Sequence, residues 1–349
     1  MSHIIDVLKQ KKVKLFITVT LGTFLIFLFI LSALCIGPAY VSLTKTISIL
    51  LNVDNKQDYG NLRNIVLNIR LPRALCAVIF GAALSVAGAL AQATLRNPLV
   101  DPYILGVSSG AAFGAALFLL LGFSMLILPA AAFISGMIAF IITIFLSRLA
   151  GGTTISVVLS GIAIGTLFSS LLTLLIYFCS EEKSHYIVLW LTGSLSTIRW
   201  SDFNVAFPVI TILLVYVLLR AKELNVILLG DEQAMQLGIN IEKLKYEVYT
   251  LVALLASIPT AYSGIIGFIG LMSPHICRLI VGSDHRLLLP ASIVVGANML
   301  LLADLVAKSA YMLIMPSSPT ELPLGALISM IGAPYFIYLL IKVRGRYAL

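Results

Sequence analysis

The chain has 349 residues, of which 60% are apolar and 11% are charged, and its mean hydropathy is +1.06. A soluble domain carries about 25% charged residues, so this composition excludes a soluble globular protein and a disordered chain. The four scattered cysteines argue against a disulfide scaffold, and we assign the net charge of +8 to membrane loops, not to nucleic-acid binding.

Charge-free runs predict where the chain crosses the membrane, since a spanning helix needs about 20 mostly apolar residues. The run 102–147 is long enough for two spans. The run 248–277 predicts a full helix to about Ser263 and then a short or broken helix, because prolines and glycines interrupt it. The ten predicted spans are 15–37, 70–95, 102–122, 126–147, 155–178, 200–219, 243–263, 265–281, 286–308 and 320–341. They predict an all-α integral membrane bundle that forms one domain over residues 1–349, with its largest inner loop at 220–242.

Basic residues predict the orientation, because Lys and Arg collect on the cytoplasmic side of a membrane. Both ends of the chain are basic, with Lys9, Lys11, Lys12 and Lys14 at one end and Lys342, Arg344 and Arg346 at the other. We therefore expect a multi-pass cell-membrane protein with both termini in the cytoplasm. The first apolar run is expected to be a retained helix, not a cleaved signal peptide. The chain also lacks the phosphate-binding loop of a nucleotide-binding domain.

The inner loop contains a predicted short helix at 231–237. Asp231 can cap its first amides, Ala234 and Leu237 share one face, and Gly238 can supply a left-handed stop. The segment is either an ordinary surface helix between two spans or a docking helix whose small apolar face fits a groove on a partner.

Further motifs follow each other over residues 63–341. In order, they are RLPR at 70–73, NPLVDP at 97–102, LGVSSGA at 105–111, GFIGL at 267–271, Pro274-His275 with Arg278, DHR at 284–286, LLP at 288–290, Ala303-Asp304, ELPLG at 321–325 and GAP at 332–334. With the loop helix they resemble the FecCD-type family, the permeases of ATP-binding-cassette (ABC) importers for iron-siderophores, haem and cobalamin. The resemblance implies a ten-helix permease that pairs with a second permease subunit, which is either a copy of the same chain in a homodimer or a different chain in a heterodimer. It also implies two ATPase subunits on the cytoplasmic side and an extracytoplasmic substrate-binding protein. The chain itself would not be an enzyme, would need no cofactor and would leave ATP hydrolysis to its partner.

The resemblance also implies three sites. Coupling to the ATPase is implied for Gly230, Asp231, Glu232, Ala234, Leu237 and Gly238. Docking of the binding protein is implied for Arg70, Arg73 and Lys308, although an arginine at a span end commonly snorkels to the interface. A cytoplasmic gate is implied for Gly151, Gly152, Thr153 and Thr154, which could equally form an ordinary tight loop. The stretch 309–320 is longer than the family pattern and has a turn-rich part at 315–319.

Carboxylates help to separate this function from its rivals. An ion-driven secondary transporter needs carboxylates midway in its spans. Asp101, Asp304 and Glu321 instead lie near helix ends, so we interpret them as structural caps or pairs. His275 and His285 have no ligand partners at metal-binding spacing, so no metal site is expected. The substrate stays open between iron-siderophore, haem, cobalamin and an oxyanion such as molybdate.

Overall fold

The structure is a computed structural model that describes residues 2–37, 39–52, 60–124, 126–314 and 321–343. Every regular element within these ranges is a helix. The predicted turn-rich loop at 315–319 and the terminal Arg344 and Arg346 lie outside the described residues.

The helices follow each other in a simple order along the chain. The first half contains α1 (Ser2–Cys35), α2 (Leu43–Leu50), α3 (Gly60–Asn64), a π-helical segment (Ile65–Arg70), α4 (Leu71–Thr94), a 3-10 turn (Pro102–Leu105), α5 (Val107–Leu120), α6 (Leu128–Leu149) and α7 (Thr154–Phe178). The second half contains α8 (Glu181–Leu191), α9 (Trp200–Leu219), α10 (Ala221–Leu229), α11 (Asp231–Gln236), α12 (Ile241–Ser263), α13 (Ile269–Val281), α14 (His285–Ile314) and α15 (Leu324–Val343).

Each predicted span overlaps a helix of the structure. Six of the described helices are long and apolar enough to cross a membrane, and they belong to α1, the α3–α4 segment, α6, α7, α9 and α14. Helices α5, α13 and α15 are apolar but shorter, and α12 has charged residues in its first turns. The chain is therefore an all-α membrane bundle, and the number of its crossings stays a prediction.

Helix α4 lies at the centre of the bundle because its small residues allow neighbouring backbones to approach closely. A Cβ atom at Gly88 would lie 1.7 Å from the carbonyl oxygen of Gly270 in α13. A Cβ atom at Gly81 would lie 2.3 Å from the carbonyl oxygen of Gly296 in α14. Small residues form such backbone contacts between membrane helices. As a result, 89% of the most apolar 18-residue stretch within Gly60–Thr94 is buried inside the protein.

Two helix junctions break the regular pattern and contact each other. Helix α12 ends at Ser263, where the sequence predicts the break, and non-helical residues lead to Phe268, whose φ is +67°. The predicted span 102–122 is corrected, because its α-helix begins only at Val107 after the 3-10 turn. The Tyr103 and Thr260 hydroxyls lie 2.9 Å apart and join the two junctions.

A carboxylate fixes the 3-10 turn that delays α5. The side chain of Asp101 accepts a hydrogen bond from the Tyr103 amide at 3.0 Å, which caps the turn. The turn ends at Gly106, whose φ of +81° is readily adopted only by glycine. The interpretation of Asp101 as a cap is thereby confirmed.

Candidate functional site

Helix α11 is a short, well-delimited helix in the loop between α10 and α12. Gly230 precedes it with a φ of +112°. At its end, the Gly238 amide donates to the Met235 carbonyl at 2.9 Å, and the Ile239 amide donates to the Ala234 carbonyl at 3.2 Å. Gly238 itself has a φ of +74°, so it occupies the left-handed position that the sequence predicts.

Two details of this helix differ from the sequence interpretation. Asp231 does not cap the amides, because its carboxylate is bound by Arg96 and, at 2.7 Å, by Lys245. Ala234 and Leu237 do not share an exposed face: Ala234 is fully buried, whereas Leu237 is 61% exposed. The neighbouring Met235 is 60% exposed. The apolar surface offered by α11 is therefore formed by Met235 and Leu237.

Further ion pairs surround α11 on this side of the bundle, which we call the α11 face. The Arg220 guanidinium binds Glu247 at 2.9 Å and joins α9 to α12. The Asp284 carboxylate accepts from Asn225 of α10 at 2.8 Å and from Arg286 of α14 at 2.6 Å. The Arg286 guanidinium, together with Asn225, holds the pKa of the Asp284 carboxyl well below its usual range. These pairs hold the loop helices against the bundle.

The predicted gate residues lie on the α11 face too. Gly151 and Gly152 have φ values of +92° and +67°, so they form a tight turn. Thr153 begins α7, since its hydroxyl accepts from the Ser156 amide at 3.1 Å. The preceding Arg148 lies over the ring of Tyr246 in α12, 4.9 Å from its centroid. The turn is thus placed beside the first turns of α12, and its role as a gate stays a prediction.

A buried charge cluster lies at the opposite end of α4, and we call this side the opposite face. Arg73 donates to Asp304 of α14 at 3.0 and 2.8 Å, and to Glu321 before α15 at 2.9 and 2.6 Å. Lys308 binds the second oxygen of Asp304 at 2.8 Å. The cluster therefore joins three parts of the chain, and the interpretation of Asp304 and Glu321 as structural pairs is confirmed.

Docking of a partner and snorkelling to the interface both require an exposed charge, and the structure shows no such exposure at the three cations. Arg70, Arg73 and Lys308 are only 5%, 6% and 3% exposed. Arg70 donates to the carbonyls of Leu34 at 2.7 Å and Cys35 at 3.0 Å, at the end of α1. A buried cation needs such partners, and here the protein itself supplies them. None of the three snorkels to the surface or offers a free charge to a partner, and docking at these residues stays a prediction.

A cavity of about 400 Å³ opens beside α7, and the sequence analysis did not identify it. It is lined by Tyr103, Ile104, Gly106, Gly161, Ile162, Gly165, Thr166, Ser169, Ser170 and Thr173. These lining residues include hydroxyl groups and no charged side chain. The sequence does contain a pattern that could have identified this cavity, namely the hydroxyl side chains at 166, 169, 170 and 173, because residues three or four apart share a helix face.

Within the described residues, no group of three His, Cys, Asp or Glu is placed to hold a metal ion.

Comparisons with known proteins give a consistent result over nearly the whole chain. The family model described as the FecCD transport family matches residues 24–342. The chain is 40% identical over 287 residues to the hemin transport system permease protein HmuU of Yersinia pestis. This alignment covers 80% of this chain and 84% of that protein. It is 36% identical to the Fe(3+)-citrate import system permease protein YfmE of Bacillus subtilis, with 95% of this chain and 96% of that protein covered.

A solved structure of 33% sequence identity has the same fold. It is described as an inward-facing conformation of a metal-chelate type ABC transporter, and the TM-score is 0.81 over 93% of this chain and 98% of that chain. The helical bundle, its apolar spans and the family match agree with one another. The chain therefore belongs to the FecCD transport family, the membrane permeases of ABC importers.

Proposed function

We propose that this chain is the permease subunit of a binding-protein-dependent ABC importer and forms the translocation path for a metal chelate. The observation that carries the proposal is the match to a metal-chelate type ABC transporter over 93% of the chain. Relatives named for hemin, vitamin B12 and Fe(3+)-citrate support the substrate class. Two ATPase subunits supply the energy, and a second copy of the chain completes the path. The protein lies in the inner membrane of the cell, and both of its termini are in the cytoplasm.

The cavity beside α7 has an uncharged lining, which favours a metal chelate over a free oxyanion as the substrate. Its hydroxyl groups can form hydrogen bonds with a chelate, and no cationic side chain among its lining residues can balance a free oxyanion. Molybdate is therefore the less favoured cargo. A carrier driven by an ion gradient is also less favoured, because the carboxylates of Asp101 and Asp304 are already bound within the protein.

The α11 segment from Gly230 to Gly238 is the proposed contact with the ATPase. Gly230 and Gly238 delimit the helix, Asp231 fixes it to the bundle and Met235 and Leu237 form its exposed apolar surface. Glu232 is exposed beside them. An apolar helix surface of this kind fits a groove on a partner.

Substitutions on α11 separate docking from folding. Met235→Asp adds a charge to an exposed position, so the permease should fold normally, whereas burying that charge unpaired under the ATPase costs several kcal/mol. We expect normal yield and loss of the co-purifying ATPase. Ala234→Asp, one residue earlier, should lower the yield of the permease itself, because Ala234 is fully buried. Normal yield and normal ATPase binding in both variants would refute the docking assignment.

The gate and the docking of the binding protein complete the proposal. Gly151, Gly152, Thr153 and Thr154 are proposed to form the cytoplasmic gate together with the same turn of the second copy. The binding protein is proposed to dock on the opposite face. Direct docking on Arg73 requires Glu321 to be displaced first, because Glu321 covers that guanidinium with two hydrogen bonds.

Reconstitution tests the whole proposal. The permease, its ATPase and its binding protein are assembled in liposomes, and uptake of hemin, cyanocobalamin and ferric citrate is measured with and without ATP. We expect ATP-dependent uptake of one chelate and no uptake of molybdate. Uptake that follows an ion gradient without the ATPase would refute the proposal.

A further inference from the structure

One carboxylate on α11 lies between two cations from different helices. The Arg96 guanidinium binds one oxygen of Asp231, and the Lys245 ammonium group binds the other at 2.7 Å. Arg96 follows the end of α4, and Lys245 lies in the second turn of α12. The Arg96 guanidinium also lies 3.4 Å from the Ile227 carbonyl of α10. The position of α11 is thus tied to α4 and α12 through a single side chain.

The contact of Asp231 with Arg96 and Lys245 is important because few other side chains of α11 pack against the bundle. A helix of six residues is far too short to be stable alone, and Ala234 is its one fully buried side chain within the described residues. Lys245 is itself well shielded, with 17% of its side chain exposed. Arg96 has a φ of +50°, a backbone conformation that is uncommon for a residue other than glycine.

Helix α4 leads from this contact to the opposite face. Its 24 residues span about 36 Å, at 1.5 Å per residue. Gln92 near one end accepts a hydrogen bond from Arg278 of α13 at 2.6 Å, and Arg73 at the other end belongs to the buried charge cluster. Because α4 is one continuous helix, we expect a displacement at one end to move the other end with it.

We propose that Asp231 is a positioning residue that fixes α11 to α4 and α12 through Arg96 and Lys245, so that movement of α11 reaches the opposite face along α4. The inference rests on the proposed function, in which the ATPase contacts α11 and the binding protein docks on the opposite face. It adds the residues that carry this movement through the permease.

The experiment uses the assembled permease–ATPase complex in nanodiscs with the loaded binding protein. Asp231→Asn removes the charge without changing the shape of the side chain, and Asp6→Asn makes the same change at an exposed position of α1. We measure the amount of co-purified ATPase and the factor by which the loaded binding protein stimulates ATP hydrolysis. We expect Asp231→Asn to keep its ATPase, because the buried Ala234 still packs α11 against the bundle and the exposed Met235 and Leu237 are unchanged. The stimulation should fall about fivefold, which corresponds to the loss of an exposed ion pair of about 1 kcal/mol. Asp6→Asn should match the wild type.

The remaining outcomes separate the possible failures. Asp231→Glu keeps the charge and should restore most of the stimulation, and Lys245→Gln should add little to Asp231→Asn because both remove the same pair. Wild-type stimulation in Asp231→Asn would overturn the inference. Loss of the ATPase from that variant would also overturn it, since Asp231 would then serve docking. A wild-type permease that binds no ATPase would instead refute the proposed function.

Discussion

Asp304→Asn is expected to be among the most damaging single substitutions on the opposite face. The Asp304 side chain is completely buried and neutralises two cations, Arg73 and Lys308, which are themselves 7% and 3% exposed at the side chain. Glu321 balances one of them. The four charges sum to zero in the wild type, so the asparagine leaves the cluster with a buried excess positive charge.

The size of the effect follows from this burial. Removing one partner of a buried ion pair costs about 3–5 kcal/mol, because the remaining charge is left without compensation. Glu321 is 23% exposed at the side chain, so water replaces part of its contribution, and Glu321→Gln should cost only about 1–2 kcal/mol. The double variant Asp304→Asn/Lys308→Met restores zero net charge and keeps the Arg73–Glu321 pair. It should therefore be more stable than Asp304→Asn alone.

Unfolding of the purified permease in mixed micelles measures these differences. The free energy of unfolding is compared for the wild type, Asp304→Asn, Glu321→Gln and the double variant. We expect Asp304→Asn to be the least stable and the double variant to recover more than half of the loss. Equal stability of Asp304→Asn and Glu321→Gln, or a double variant less stable than either, would refute the assignment of a buried, charge-balanced cluster.

Three further predictions concern other parts of the chain. Gly88→Ala should abolish folding, measured as monodisperse yield, since its Cβ would overlap the Gly270 carbonyl. Gly60→Ala should be harmless, since no atom of the described part of the chain lies within 4 Å of the added Cβ. Thr154→Cys in a cysteine-free background should cross-link to the second copy in one nucleotide state, and no cross-link in any state would place the gate elsewhere. The lowered pKa of the Asp284 carboxyl predicts stability that is present above its ordinary unfolded value of about 4 and is lost as the pH falls towards the folded value. Acid titration of Asp284→Asn should show a smaller loss than the wild type, and an identical loss would exclude this contribution.

The local features of the fold could be predicted from the sequence. Charge-free runs predicted helices where α1, α6, α7, α9 and α14 lie, because the bilayer thickness fixes the length of an apolar run. The end of α11 and the break after Ser263 could be predicted as well, since Gly238 and Gly264 readily adopt the positive φ values that end a helix. The motifs identified the family because they are contiguous stretches of sequence.

The surroundings of the charged residues were decided by the tertiary structure alone. Arg73 and Asp304 are separated by 231 positions, so no pattern in the sequence shows that they are partners. The two interpretations of Arg73 from the sequence, a docking charge and a snorkelling arginine, both placed it at the surface. Likewise, helical spacing placed Ala234 and Leu237 on one face, but packing against α10 and α12 buries Ala234 and leaves Leu237 exposed. Helical spacing follows from the backbone of one segment, whereas burial and ion pairing depend on which distant segments the fold brings beside it.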